Sequence, residues 1–249
     1  MDGLGPDLDD GKTRIAIDPH VHSEDSYDGK EPVELILEHA ADIGLDGVVI
    51  TDHDEIGESL RAAEIASEYG LIGVPGVEVS TSHGHLLAIG VEEKPSKRQP
   101  FMDTVELVRE LGGAAVVPHP FQVTRHGVKK KRIEDCDGIE VYNAWLFTGY
   151  RNRRSKTFAQ KNGYPRIGAS DAHSITMVGR AYTEIEFEDR RREEITADDV
   201  VSAVKHGDTS IHGRRAPVTR SAYHYLKASV RKTAWGIRAG ASKVRGVKR

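Results

Sequence analysis

The chain has 249 residues, 38% hydrophobic and 30% charged, which is room for one large α/β domain with a short extension. No apolar run approaches the ~18–20 residues that span a bilayer. The acidic, Gly-rich start, Met1 to Lys12, has neither the basic nor the apolar stretch of a secretion signal, so a cytoplasmic protein with no transmembrane segment is expected. The single cysteine, Cys136, excludes an intrachain disulfide and fits a reducing compartment. The net charge of −4 conceals a split: residues 209–249 hold 11 of the 35 Lys and Arg and none of the 39 Asp and Glu. An acidic body and a basic tail call for separate readings. The expected layout is a disordered lead-in at 1–13, a main domain at 14–208 and a basic extension at 209–249.

The first apolar run, Ile15-Ala16-Ile17, closes on Asp18-Pro19-His20-Val21-His22. In a strand, alternate side chains share a face, so His20 and His22 point the same way and form half of a metal site. A turn-rich loop, Ser23 to Gly29, precedes a helix opened by Pro32, with apolar positions Val33, Ile36, Leu37, Ala40 and Ile43. Val48-Val49-Ile50 reads as a strand buried on both faces, ending in Thr51-Asp52-His53-Asp54. A second helix is expected over 60–69, then a strand over 71–79 carrying Glu78. Ser82-His83-Gly84-His85 leads into the apolar run 86–89, and a helix is expected over 102–111. Ala114 to Val117 ends in Pro118-His119-Pro120, and a basic loop follows at 125–132. Gly138 to Asn143 reads as a strand, 151–162 as a basic helix, and 166–170 as a strand ending in Asp171-Ala172-His173. The run 181–187 alternates as a strand does, and Thr196 caps a last helix that stops at Gly207.

Five strand-like runs therefore end in His, Asp or Glu. Such groups are costly at the ends of apolar strands unless solvated, paired or ligating, which suggests that they converge. Repeated strand–helix alternation predicts parallel strands with crossover helices. Polar strand ends fit a (β/α) barrel, whose active site lies at the C-terminal ends of its strands. An open doubly wound sheet is the competing architecture, and the Gly-rich phosphate loop it would carry is absent from the sequence.

Seven pieces, in order, resemble the PHP family, the polymerase and histidinol phosphatase domain. They are His20-Val21-His22, Ser26-Tyr27-Asp28-Gly29, Ile50 to Asp54, Gly76-Val77-Glu78-Val79-Ser80, His85-Leu86-Leu87, Pro118-His119-Pro120 and Ser170-Asp171-Ala172-His173. The resemblance covers roughly 14–188, and 138–186 resembles the PHP-associated region of small stand-alone members. It implies a distorted (β/α)7 barrel with two or three divalent ions (Mn, Zn or Fe). Carried over position by position, His20, His22, Glu78 and Asp171 would surround one ion. Glu78 would bridge to a second, completed by His85 and His119, and Asp28, His53 and His173 would hold a third. His83 competes with His85. Asp52 would orient His53 or a neighbour, and Asp54 and Glu140 are expected to be structural or supporting.

The resemblance further implies a metal-dependent phosphoesterase using metal-activated water, with Glu78, His119 and Asp171 as its catalytic core. The expected substrate is a small phosphorylated molecule of nucleotide type or nucleic acid, in the manner of 3′,5′-nucleotide bisphosphate phosphatases or 5′–3′ exonucleases. A histidinol-phosphatase-like enzyme and a non-catalytic metal-binding PHP module are the alternatives. Arg125, Arg151, Arg153, Arg154 and Arg180 are candidates to meet the phosphate, with Arg153, Arg154 and Arg180 put forward, since guanidinium forks match phosphate oxygens. In the tail, Tyr223, Leu226, Val230, Ala234, Ile237, Ala241 and Val244 recur every 3 or 4 residues, which predicts a basic amphipathic helix. It would pack on the acidic barrel, bind nucleic acid or lie on an anionic membrane.

Overall fold

The computed structural model of the chain describes residues 11–145 and 149–214. The tail helix expected from Tyr223 onward lies outside the described residues. Nine strands and five α-helices occur among those described. In chain order they are β1 (Lys12–Val21), α1 (Val33–Asp42), β2 (Gly47–Ile50), α2 (Gly57–Ile65), β3 (Gly76–Thr81), β4 (Gly84–Ile89) and α3 (Phe101–Glu110). There follow β5 (Ala114–Val117), β6 (Gly138–Asn143), α4 (Gly149–Asn162), β7 (Arg166–Ala169), β8 (Ala181–Glu188), α5 (Ala197–His206) and β9 (Thr209–Gly213).

Local chemistry explains the boundaries. Pro32 sits just before α1, where its missing N–H costs nothing, and Val33, Ile36, Leu37 and Ala40 form the buried face. α2 runs on into a tight 3-10 turn, Ala66–Tyr69, stopped by Gly70 in the left-handed conformation. Thr196 and Asp199 cap α5 reciprocally, and Gly207, at φ +80°, ends it. No described helix is long and apolar enough to cross a membrane.

The fold is mixed α/β, and two sheets replace the single parallel barrel expected. One has the order β2-β1-β8-β9 and the other β3-β4-β5-β6-β7. β1–β2, β5–β6 and β6–β7 are parallel, whereas β1–β8, β8–β9, β3–β4 and β4–β5 are antiparallel. Connection length is the physical reason. Only Ser82 and His83 separate β3 from β4, far short of the dozen or so residues that a parallel crossover needs. Between β7 and β8 there is a 3-10 turn, Ile175–Met177, and no α-helix. Among the described residues no continuous ladder closes the strands into a barrel. The sheets meet through isolated bridges, Val21 to Ala172 and His53 to Glu78. Thr209–Gly213, the first residues of the segment read as an extension, form the edge strand beside β8.

Strand alternation divides the core. Val77, Val79, Leu86 and Ala88 pack with Val105, Val108 and Phe158 from α3 and α4. Leu87 and Ile89 face the other way, into a cluster with Ile15, Ile17, Val49, Ile167, Ile185 and the α5 residues Val200 and Val204. β4 is thus buried on both faces, as a run without polar alternation requires. Glu78 lies between Val77 and Val79 in β3, so its side chain points away from theirs.

Candidate metal centre

The same alternation places Glu78 at the centre of the strand-end residues. Its carboxylate is fully buried. Around it stand His85 Nδ1 at 2.7 Å, His119 Nε2 at 3.1 Å, His20 Nε2 and His53 Nδ1 at 3.2 Å, and His22 Nε2 at 3.4 Å. Asp171 Oδ1 lies 3.6 Å from Nε2 of both His20 and His22. On the open side, Asp28 Oδ2 is 3.1 Å from His173 Nε2 and 3.7 Å from His53 Nε2. All nine residues expected as ligands therefore come together. His83 does not: its Nδ1 meets Ser82 Oγ at 3.0 Å.

Four groups bring ligand atoms within 4.8 Å of one another: His20, His22 and Glu78; His20, His119 and Asp171; His53, Glu78 and His85; and His22, Asp28, His53 and His173. The grouping differs in detail from the expected one. His53 joins Glu78 and His85 as well as Asp28, and His119 groups with His20 and Asp171.

Neighbouring groups fix which nitrogen three of the imidazoles present. His20 Nδ1 faces Glu140 Oε1 at 3.1 Å, leaving Nε2 for the cluster. His173 Nδ1 meets the Asp171 carbonyl at 2.8 Å, and His22 Nδ1 lies 3.4 Å from Ser26 Oγ. Glu140 also accepts the His119 backbone N–H at 2.5 Å and Asn143 Nδ2 at 2.9 Å, and Asn143 Nδ2 reaches Asp171 Oδ2 at 2.9 Å. Asp52 accepts from Ser23 N and Ser23 Oγ, so it holds the loop after His22 and does not orient His53. Asp54 accepts Ser80 N–H, a structural tie to β3. Asp18 accepts Ser170 N–H and Gly179 N–H, pinning the loop that carries Asp171. His119 and Asp171 adopt positive φ, +29° and +55°, the strained backbone often found at functional sites.

Close packing needs glycine at several places, two of them in the loops beside the cluster. A Cβ on Gly29 would lie 1.8 Å from the Ser23 carbonyl oxygen. At Gly84, φ is +134° and a Cβ would sit 2.4 Å from the His126 carbonyl, the same oxygen that accepts His85 N–H.

The electrostatics are divided. Burial opposes the charge on Glu78, but His53, His85 and His20 hold its pKa well below the usual range. Burial likewise opposes ionisation of Asp171, and Arg125 and His20 outweigh it. Asp28 is also lowered, by His173 and His53 against burial. His20 is raised because Asp171 and Glu78 overcome burial, whereas burial and then His173 push His22 down to about 3. Burial also lowers His119. Anionic carboxylates among imidazoles, of which His22 and His119 are held toward the unprotonated form, are the donor set of divalent transition metals. The buried His53 Nδ1, which makes no hydrogen bond, is aimed at Glu78. The residues fit such ions.

The cation at this cluster is Arg125. Its two terminal nitrogens meet the Asp171 oxygens at 2.8 and 3.0 Å. Arg153 and Arg154 instead line a separate cavity of about 340 Å³ with Phe121 and Tyr150, and Arg180 Nε donates to the Thr176 carbonyl. Sequence reasoning missed Asn143, although it ends β6 as the histidines end other strands. Sequence reasoning marks Ser26 only as part of the Ser26-Tyr27-Asp28-Gly29 piece, with no role of its own.

A model described as PHP-associated matches residues 149–209. An uncharacterised protein of Methanocaldococcus jannaschii is 30% identical over 146 residues, 54% of this chain and 85% of its own length. A phosphoribosyl 1,2-cyclic phosphate 1,2-diphosphodiesterase of Eggerthella lenta is 39% identical over 82 residues, 30% of this chain and 31% of its own. Among solved structures, a two-domain Bacteroides vulgatus protein containing a predicted PHP-like metal-dependent phosphoesterase superposes with TM-score 0.70 at 20% identity, over 89% of this chain and 72% of that one. Endonuclease Q, bound to a 27-mer duplex with an abasic lesion, superposes with TM-score 0.59 at 17% identity, over 82% and 60%. With seven motif pieces in order, their nine candidate ligands gathered in one cluster and a PHP-associated model matched at 149–209, the chain belongs to the PHP family, the polymerase and histidinol phosphatase domain.

Proposed function

We propose that the chain is a metal-dependent phosphoesterase acting on phosphate esters of nucleotides or nucleic acid, of the 3′,5′-bisphosphate phosphatase or 5′–3′ exonuclease type. The observation that carries this reading is the buried Glu78 carboxylate with five imidazole nitrogens within 3.4 Å. The nine residues His20, His22, Asp28, His53, Glu78, His85, His119, Asp171 and His173 would hold two or three divalent ions, of Mn, Zn or Fe type. Bound ions of this kind supply Lewis-acid polarisation of a phosphoryl oxygen and lower the pKa of water to about 7.

The chain's own residues do the rest. Glu78 and Asp171 stay ionised and bring negative charge to the middle of the cluster. His119 stays neutral and presents Nε2, while Glu140 holds His20 in the tautomer that leaves Nε2 free. Arg125, 15% exposed at its side chain, can turn one edge of its guanidinium from Asp171 to a phosphate oxygen. The Eggerthella enzyme's name and the lesion-bearing DNA of endonuclease Q both denote phosphodiesters, which supports a phosphoester substrate here. A screen of mononucleotides, nucleoside 3′,5′-bisphosphates and 5′-phosphorylated oligonucleotides with Mn(II) tests the proposal. Metal-dependent phosphate or nucleotide release is expected, and no turnover of any of them would overturn it.

A further inference from the structure

Beside the cluster runs a cleft of about 810 Å³, bordered by His53 and His85. Five cations line it: Lys97 and Arg98 before α3, and Lys129, Lys131 and Arg132 from the loop before β6. All five are exposed, and none forms a salt bridge among the described residues. The two acids on the same cleft offset them only in part. Glu55 is paired with Lys94 at 3.1 Å, and Asp54 is tied to Ser80 N–H. One phosphate at the cluster needs no more than Arg125. Five further unpaired cations, in a body that is otherwise acidic, focus positive potential along a track longer than one phosphate.

A second observation names what lies between the phosphates. Tyr27, also on the cleft, is 78% exposed. Its ring stacks on His53 with centroids 4.8 Å apart and planes 17° from parallel. A ligand of the cluster thus braces one face of the tyrosine, and the other face is open. A positive groove with an aromatic platform is how proteins hold single-stranded nucleic acid, because every base has a face to stack. A paired base has no free face to offer.

We propose that this cleft binds a single-stranded polynucleotide, with one phosphate at the metal cluster, a base on Tyr27 and further phosphates along Lys97, Arg98, Lys129, Lys131 and Arg132. The inference rests on the phosphoesterase reading and names its substrate class. The full-length protein as purified would be titrated with a fluorescein-labelled, 5′-phosphorylated, phosphorothioate 12-nucleotide strand. A nucleoside 5′-monophosphate and a blunt duplex would serve as competitors. The strand should bind at least 10-fold tighter than either. Lys129→Glu with Lys131→Glu should weaken it 10- to 100-fold and flatten the salt dependence by about 1.4, at about 0.7 per lost phosphate contact. Tyr27→Ala should cost about 5- to 100-fold. Lys156→Glu with Lys205→Glu changes the charge equally but lies on α4 and α5, and should have less than a threefold effect. Equal binding of strand and mononucleotide, or equal losses in the two double variants, would overturn the track. Hydrolysis of small phosphoesters alongside such a result would leave the phosphoesterase reading intact. Failure to hydrolyse any phosphoester overturns that reading, while the binding comparison still decides the track.

Discussion

Of the cluster's imidazole rings Glu140 meets that of His20, and Glu140→Gln tests that contact. One carboxylate oxygen faces His20 Nδ1 at 3.1 Å, and the other accepts the His119 N–H at 2.5 Å and Asn143 Nδ2 at 2.9 Å. Glutamine keeps two donors satisfied only by placing its oxygen on the second side. Its NH2 then faces His20 and donates to Nδ1. His20 must carry its proton on Nε2, the nitrogen 3.2 Å from Glu78, and can no longer ligate without losing it. Partners of this kind typically contribute 10- to 100-fold in metal affinity. That is about 1.4–2.8 kcal/mol at tenfold per 1.4 kcal/mol. The fold should survive with a loss of about 1–3 kcal/mol, since charge-assisted hydrogen bonds become neutral ones. Titration of Mn(II) or Zn(II) against a chelator of known affinity reads the first effect and urea unfolding the second. Affinity within threefold of the parent protein would refute the tautomer argument.

Glu78→Gln and His119→Ala should each abolish hydrolysis while circular dichroism still shows a folded protein; an active Glu78→Gln variant would remove Glu78 from its bridging role. Gly84→Ala forces a side chain into positive φ against the His126 carbonyl, and should cost about 1–3 kcal/mol by denaturant unfolding together with weaker metal binding through His85. Burial pushes the Cys136 thiol up to about 12. Its folded pKa lies above the unfolded value, so its contribution to stability is complete below about pH 8.5 and is lost as pH rises toward 12, at up to about 1.4 kcal/mol per pH unit. Cys136→Ala should flatten that alkaline decline, and the native thiol should resist a disulfide reagent at pH 8 until denaturant is added.

Much of the site was legible because strand alternation is a strict rule. His20 lies in β1 and His22 one residue past its end, and Glu78 opposes Val77 and Val79, so the alternating pattern aims them toward one place. Strand direction was harder to read. The turn Ser82-His83 is too short for a crossover, so β4 had to be antiparallel; apolar runs alone carry no direction. β9 was hidden for a different reason: as an edge strand, Thr209–Gly213 lies largely in solvent, and its weak apolar signal was overshadowed by the basic residues that follow. Arg125 became the cluster's cation because the loop after His119 folds back over Asp171, a long-range contact that no local pattern encodes. Asn143 acts through two carboxylates, Glu140 three residues away on the same strand and Asp171 28 residues away, and only the folded sheet joins the three.

The central claim is that the strand-end residues form one multinuclear metal site organised on Glu78. Elemental analysis of the purified protein, reconstituted with Mn(II), Zn(II) or Fe(II) and freed of loosely bound ions, tests it most directly when run beside Glu78→Gln. Two to three ions per chain in the parent protein and a loss of at least one in the variant are expected. Fewer than one ion per chain after reconstitution, or the same content in both proteins, would contradict it.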